Sequence, residues 1–276
     1  MARQKRIALI NDITGFGRCS VTVQLPVISA MRVQACPLPT AILSVHTGFP
    51  NHYLDDYTER MRPYMENWAA NGIDFDALLT GFLGSERQIE VVLECIARFK
   101  QRDTKVIVDP VMGDNGSLYS SYTPELCVKM RQLLPYADIV TPNLTEACQL
   151  LGTQYPTDGI VTEDELNAMA AAIALMGPHD VIITGLHAGE DVRTYLYADG
   201  HGRSFDNPKI GRDRSGSGDA FSAIIAAALV RGIPLDEGVQ HAAGFIGHCL
   251  AYAEELDLPW NYGLPFEEFM GELTAL

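Results

Sequence analysis

Asp219 is the side chain best placed to do chemistry. It ends the run G-S-G-D at residues 216–219, where two glycines flank the small Ser217, and an apolar stretch of helical character follows over 220–230. Glycines let the backbone turn tightly and aim several N–H groups at one point. A helix starting there adds unpaired N–H groups and partial positive charge, so the place attracts phosphate. A carboxylate at the mouth of an anion site is a poor anchor. It suits a base that takes a proton while the N–H groups hold developing negative charge. The alternative is a turn whose Asp caps the helix. Arg214, just ahead, is placed to reach a phosphate or simply solvent. Asp109 and Asp114 follow the strand-like run 105–108, and ligands bind at such strand ends in open α/β sheets, although Asp and Gly also serve turns. Asn143 and Glu146 stand three apart at a helix start and share a face. Ser44, His46 and Thr47 sit in a β-forming run at 40–50, where a lone His is more often structural.

These residues need a frame. Short apolar runs at 6–11, 77–80, 105–108, 138–141 and 181–184 read as strands that end in polar or glycine-rich residues. Residues 11–17 read as a glycine loop before a helix over 20–31. A dinucleotide fingerprint fails there: Ser20 replaces the third glycine, and no acid ends the next strand-like run at 35–38. Helices are expected over 53–71, 86–99 (from the capping box S-E-R-Q), from 123, over 162–176 (a second capping box, T-E-D-E), 220–231 and 235–253. Residues 115–122 read as a mobile loop. Asp199-Gly200 signals a hairpin between 193–198 and 203–205. His241 and His248, without an acidic or Cys partner in the pattern, read as structural. Five strand–helix units predict an α/β chain: one mostly parallel sheet with helices on both faces and the site along one edge.

The 276 residues, 47% hydrophobic and 20% charged, describe an ordinary globular protein with no repeat or linker, hence one domain over 1–276. The formal charge of −15 argues against nucleic acid or anionic membrane as partners, so local groups must hold an anionic substrate. The six cysteines are at least 17 residues apart, which excludes C-x-x-C motifs and reads as reduced, mostly buried cytosolic thiols. The apolar run 7–10 after a basic start is too short for a signal peptide, and no segment is long enough to span a bilayer.

Five motifs in order make nearly the whole chain resemble the ribokinase-like superfamily. They are V-H-T-G at 45–48, L-T-G-F-L-G-S at 79–85, D-P-V-M-G-D at 109–114, T-P-N-L-T-E at 141–146, and G-S-G-D at 216–219. Within the superfamily the chain is similar to the vitamin B6 (pyridoxal) kinases, bacterial pyridoxamine kinases above all. The resemblance implies a three-layer α/β/α sandwich, a homodimer, and ATP-dependent phosphorylation of the 5′-hydroxymethyl group of a B6 vitamer. It implies that Asp219 is the base and that Gly216, Ser217 and Gly218 cradle the phosphoryl group. It implies that Asp109, Asp114, Thr141 and Glu146 hold Mg²⁺ and with it K⁺ or Na⁺. Asn143 and Thr184 would approach the ATP phosphates. Thr47 and Phe82 would contact the pyridine, with His46 and Ser44 nearby. Phe82 replaces a tyrosine frequent in relatives. Asp12 stands where many carry a serine that touches the pyridine, so an anion there would favour the cationic amine of pyridoxamine. Residues 114–122 are the candidate flap, since no early strand pair is visible for the β-lid of sugar kinases. The rivals are a hydroxymethylpyrimidine kinase of thiamine synthesis, a sugar kinase, and a non-catalytic B6-binding protein. The first usually carries D-x-x-G-G-A-G where residues 12–18 depart from it. The last has no use for Asp219 and Glu146.

Overall fold

Ile7, Ala8, Leu9 and Ile10 are fully buried and alternate between two apolar layers, as a strand covered on both faces must. They belong to β1 (Arg6–Phe16), the middle of the fold in this computed structural model, which describes residues 3–276. Met1 and Ala2 of the basic start lie outside the described residues. The chain continues through α1 (Val21–Ala30), β2 (Gln34–Val45), β3 (Leu54–Asp56), α2 (Thr58–Ala70), β4 (Ala77–Thr80), α3 (Glu86–Phe99) and β5 (Lys105–Val108). A small hairpin, β6 (Gly113–Asp114) and β7 (Ser117–Leu118), precedes α4 (Pro124–Met130), β8 (Ile139–Val140), α5 (Leu144–Leu151) and α6 (Glu163–Ala174). Then come β9 (Asp180–Ala188), β10 (Asp191–Ala198), β11 (His201–Pro208), α7 (Ser217–Arg231), α8 (Leu235–Glu255) and α9 (Met270–Thr274).

Nine strands form one sheet in the order β11-β10-β9-β8-β5-β4-β1-β2-β3. From β2 to β9 neighbours are parallel. Antiparallel strands lie at both margins: β3 beside β2, and β10 and β11 beyond β9. Helices α2 to α6 cover one face, while α1, α7, α8 and α9 cover the other, giving the expected three layers. After β1 the chain adds β2 on one side and then builds outward on the other from β4. The order therefore reverses at the carboxyl ends of β1 and β4, which is where open α/β sheets bind ligands.

Local expectations hold where side chains decide them. Ser85 accepts the Gln88 N–H at the start of α3, and Thr123 accepts that of Leu126 ahead of Pro124. Asp199 and Gly200 adopt φ of 51° and 79°, the left-handed pair that a tight hairpin turn needs.

Three expectations fail for reasons of pairing. Residues 11–16 are strand, not loop, because β2 pairs with β1 as far as Phe16 and Val45, with a register shift between Asn11 and Ile13. An early strand pair does exist, since Ala41, Ile42 and Leu43 of β2 pair with Asp56, Asp55 and Leu54. The helix expected from 53 begins at Thr58, whose N–H donates to the Asp56 carboxylate at 2.7 Å. The sheet has nine strands because four join the five expected parallel ones: β2 and β3 at one margin, and the expected hairpin, β10 and β11, at the other. Residues 114–122 are partly ordered: β6 and β7 pair, and the buried Tyr122 accepts the Leu83 N–H at 3.2 Å. All six cysteines are unpaired, five buried and Cys36 half-buried, and burial pushes each thiol up. Among the described residues no helix is long and apolar enough to cross a membrane.

Candidate active site

Gly216 sits at φ 90° and turns the chain into α7. Of the first N–H groups, that of Ser217 bends back to the Arg214 carbonyl at 3.4 Å. Those of Gly216, Gly218 and Asp219 take no protein acceptor, so the cup is these three rather than 216–218. The Asp219 carboxylate lies at its rim, half-buried. Oδ2 accepts the Ser20 N–H at 2.7 Å, and Oδ1 accepts the Asn11 side-chain amide at 3.0 Å. Burial lifts this carboxyl to about 6 and the neighbouring Asp12 pushes the same way, while the two hydrogen bonds pull it back. The result is a carboxyl raised toward neutrality on the first turn of a helix whose leading N–H groups are largely free.

Beyond β1 lies the end expected to take the substrate. Asp12 is buried at 5% exposure and accepts the Thr14 hydroxyl at 2.6 Å, and burial raises its carboxyl. The Phe82 ring meets Tyr122 edge-on at 5.9 Å, and its backbone bonds Asn11 and Thr40. Thr47 is exposed. The Ser44 hydroxyl accepts the Tyr53 N–H at 2.9 Å, which pins the β2–β3 hairpin and leaves its O–H to donate elsewhere. His46 is likewise committed. Its Nδ1 accepts the Gly48 N–H at 3.1 Å, and its Nε2 lies 2.8 Å from the Asn261 carbonyl, a geometry that fits only the neutral Nε2–H tautomer. It thus ties the 46–49 turn to the C-terminal segment. Phe16, Phe49 and Tyr262 gather beside it, with ring centroids 5.8 Å (Phe16–Phe49) and 4.9 Å (Phe16–Tyr262) apart. No spacing in the sequence could reveal that cluster, because Tyr262 arrives from the far end of the chain.

On the other side of Asp219 the acids collect. Asp109, at the end of β5, is 7% exposed, and burial followed by the Asp219 charge pushes it up to about 8. Glu146 is 4% exposed and raised by burial and by Asp109, although it accepts the Asn143 and Met112 N–H groups at 2.8 and 3.0 Å. Asp114 is half-buried in the β6–β7 hairpin. The Thr141 hydroxyl is buried with no hydrogen-bond partner. Oxygen donors, buried acids without a neighbouring cation and one orphaned hydroxyl fit a hard cation such as Mg²⁺. Among the described residues no three acidic, His or Cys side chains close on a single point, so protein alone does not complete a cage. Mg²⁺ that keeps several waters and shares substrate phosphates needs none.

Asn143 caps α5: it accepts the Glu146 N–H at 2.9 Å and donates to the Gly113 carbonyl at 2.8 Å. Its oxygen and one of its two amide N–H groups are thus engaged in the fold. Its backbone bridges Thr184, whose N–H reaches the Pro142 carbonyl at 2.9 Å. Arg214 points away from the cup. Its guanidinium donates to the Leu258 and Pro259 carbonyls at 3.0 and 3.1 Å and to Glu254 at 3.0 Å, with the side chain 3% exposed. There it supplies donors to carbonyls just after α8 that no helix N–H can reach. Arg214→Met should lower stability by about 1–3 kcal/mol, read by thermal unfolding, with KM for ATP almost unmoved. A tenfold rise in that KM would return Arg214 to the phosphates. His248, read as lacking a partner, meets Glu272 at 3.0 Å, and both it and His241 are exposed.

A carboxylate at a helix N-terminus, at the carboxyl ends of a parallel sheet, fits a kinase, and the comparisons with known proteins support that class. The chain belongs to the phosphomethylpyrimidine kinase family, whose pattern matches residues 21–261. A hydroxymethylpyrimidine/phosphomethylpyrimidine kinase of Rhizobium meliloti is 28% identical over 251 residues, covering 90% of this chain and 91% of that one. A pyridoxal kinase of Leifsonia xyli is 28% identical over 239 residues, 82% of this chain and 81% of its own length. The thiamine biosynthetic bifunctional enzyme of Arabidopsis thaliana is 28% identical across 91% of this chain, which spans only 47% of that longer protein. A Bacteroides thetaiotaomicron protein provisionally assigned as a phosphomethylpyrimidine kinase, crystallised with pyridoxal, is 34% identical. It superimposes with a TM-score of 0.94 over 99% of this chain and 96% of its own. A Leishmania donovani pyridoxal kinase in complex with ADP and pyridoxamine shares the fold, with a TM-score of 0.88 at 22% identity over 98% of this chain and 96% of its own. Both kinase names recur among the relatives, so the narrower expectation of a vitamin B6 kinase is not separated from its nearest rival.

Proposed function

We propose that this chain is a single-domain, ATP-dependent kinase for the 5′-hydroxymethyl group of pyridoxamine, pyridoxal or pyridoxine. The observation that carries the reading is the Asp219 carboxylate, held beside three free N–H groups and lifted to about 6, between an aromatic-lined end and an acid-lined end. The hydroxymethyl group lies against Asp219, which takes its proton as the oxygen attacks the γ-phosphate. The Gly216, Gly218 and Asp219 N–H groups hold the negative charge of the moving phosphoryl group. Asp109, Asp114, Thr141 and Glu146 hold Mg²⁺, directly or through water, and Mg²⁺ when bound neutralises phosphate charge. Residues 114–122 cover the nucleotide and limit its hydrolysis. The Phe82 ring and Thr47 face the heterocycle. The pyridoxal in the crystal of the Bacteroides relative supports a B6 vitamer as substrate.

Hydroxymethylpyrimidine is the second reading, favoured by the family match and the Rhizobium relative. An ATP-coupled assay over the three vitamers, hydroxymethylpyrimidine, its phosphate and ribose decides between them. Preference for either pyrimidine by more than tenfold in kcat/KM would replace the vitamin B6 reading. Turnover of none would leave a binding protein.

Asp12 is the candidate for choosing among vitamers. A buried carboxyl with no cationic partner attracts the aminomethyl group of pyridoxamine. Asp12→Ser should shift the pyridoxamine-to-pyridoxal ratio of kcat/KM toward pyridoxal by about tenfold, the scale of one charged contact. An unchanged ratio would remove Asp12 from vitamer selection.

A further inference from the structure

Asn11 is a buried side chain, 1% exposed, at the carboxyl end of the regular part of β1, and every one of its hydrogen-bonding positions is filled. Its Oδ1 accepts two backbone N–H groups, from Asp12 at 2.9 Å and Phe82 at 2.7 Å. Two N–H donors can only be met by the carbonyl oxygen, so the amide cannot be flipped. Nδ2 must then point the other way, where it donates to Asp219 Oδ1 at 3.0 Å and to Gln24 Oε1 at 3.2 Å. Gly81, just beyond β4, leaves room for this amide: a Cβ there would collide with Asn11 Cγ, Oδ1 and Nδ2. Gln24 in turn lies against the Ser222 hydroxyl, which donates to the Asp219 carbonyl at 3.3 Å. A closed circuit of hydrogen bonds therefore runs from the Asp219 carboxylate through Asn11, Gln24 and Ser222 back to the Asp219 backbone.

Such a circuit has a definite consequence. A carboxylate on the first turn of a helix rotates freely about χ1 and χ2 unless something holds it. Here one oxygen is held by the Ser20 N–H and the other by the Asn11 amide. The same Asn11 oxygen grips the Phe82 N–H, so one rigid group spans the reversal point of the sheet. It fixes the base relative to the wall on which the heterocycle rests.

We propose that Asn11 is the positioning residue for the base, setting where the Asp219 carboxylate stands relative to Phe82 and the bound alcohol. It does not touch the substrate. The proposal rests on Asp219 being the base, and the variants below separate the two ideas.

Asn11→Asp keeps the shape and the oxygen that accepts the Asp12 and Phe82 N–H groups. It replaces the donor to Asp219 with a second acceptor. Asn11→Ser is small enough to sit beneath Gly81 and removes the amide that reaches Asp219, leaving a shorter hydroxyl in its place; it stands in for Asn11→Asp should that variant not fold. Steady-state kinetics with ATP and the best vitamer or pyrimidine should show kcat down about a hundredfold, the scale of a misplaced reacting group, with KM for ATP within about threefold. Placed on Asp219→Ala, the same Asn11 change should add almost nothing, because the group it orients is gone. If Asn11→Asp or Asn11→Ser keeps kcat within threefold while Asp219→Ala abolishes turnover, the positioning role is overturned and the base survives. If the Asn11 loss is as large on Asp219→Ala as on wild type, Asn11 acts on the fold and the proposal is equally overturned. If Asp219→Ala itself keeps normal turnover, the reading of the base fails first and the positioning role falls with it.

Discussion

Asp219→Ala should lower kcat by about a thousandfold while KM for ATP stays within about threefold, since a general base supplies roughly 10²–10⁴ and little ground-state affinity. Among the described residues this is the one carboxylate on the first turn of α7; Asp109 lies just past β5, where burial and the Asp219 charge push its carboxyl up. The sign of the pH dependence follows. A base works only when unprotonated, and the Asp219 carboxyl titrates at about 6. The kcat/KM of the wild type should therefore rise roughly tenfold per pH unit below about 6 and level off above it, and residual turnover by Asp219→Asn should lack that limb. Normal turnover by the alanine variant would remove Asp219 as the base, and an acidic limb persisting in Asp219→Asn would assign the titration to another group.

The second large effect belongs to Gly216. Its φ of 90° is strained for any residue with a Cβ, and the added carbon would run into the Arg18 carbonyl oxygen, a backbone atom that cannot rotate aside. Gly216→Ala should cost about 3 kcal/mol or more and lower Tm by roughly 6–10 °C. It should also cut kcat severely, since the cup of N–H groups is rebuilt around the shifted turn. Gly218 is the control, because a Cβ there meets nothing within 4 Å. Gly218→Ala should unfold within about 2 °C of the wild type, as surface changes of that size usually do. Equal melting of the Gly216 and Gly218 variants would show that the turn is not the constrained element.

What the sequence reveals and what it hides divide along the range of the interaction. The Ser85 and Thr162 caps, the Asp199-Gly200 turn and the five short parallel strands are set by near neighbours, and they are legible from residue type and spacing. Strands that exist only because a distant partner exists are not. β3 is three residues long and owes its form to β2, and the extension of β1 past Asn11 owes its form to the same partner. The site divides the same way. Asp219 and the acids at strand ends announce themselves by type and place. The commitments of Ser44, His46 and Arg214 do not, because their partners are mostly backbone atoms: the Tyr53 N–H for the first, the Gly48 N–H and Asn261 carbonyl for the second, and the Leu258 and Pro259 carbonyls beside the Glu254 carboxylate for the third. Asn11 falls between the two groups. Its position, a polar residue closing an apolar run, pointed at the site, but its contact with Asp219 spans 208 residues and only folding brings the two together.

The six unpaired thiols turn the molecule into its own reporter. With five of them buried and all held protonated by burial, an alkylating reagent finds almost no thiolate until some part of the structure opens. Cys19 stands one residue before the Ser20 N–H that grips Asp219, so the rate at which it is labelled times the loosening of that single loop. Saturating nucleotide should slow labelling at Cys19 in proportion to how firmly it holds that loop, while Cys95 and Cys249, away from the loop, should follow the opening of the body.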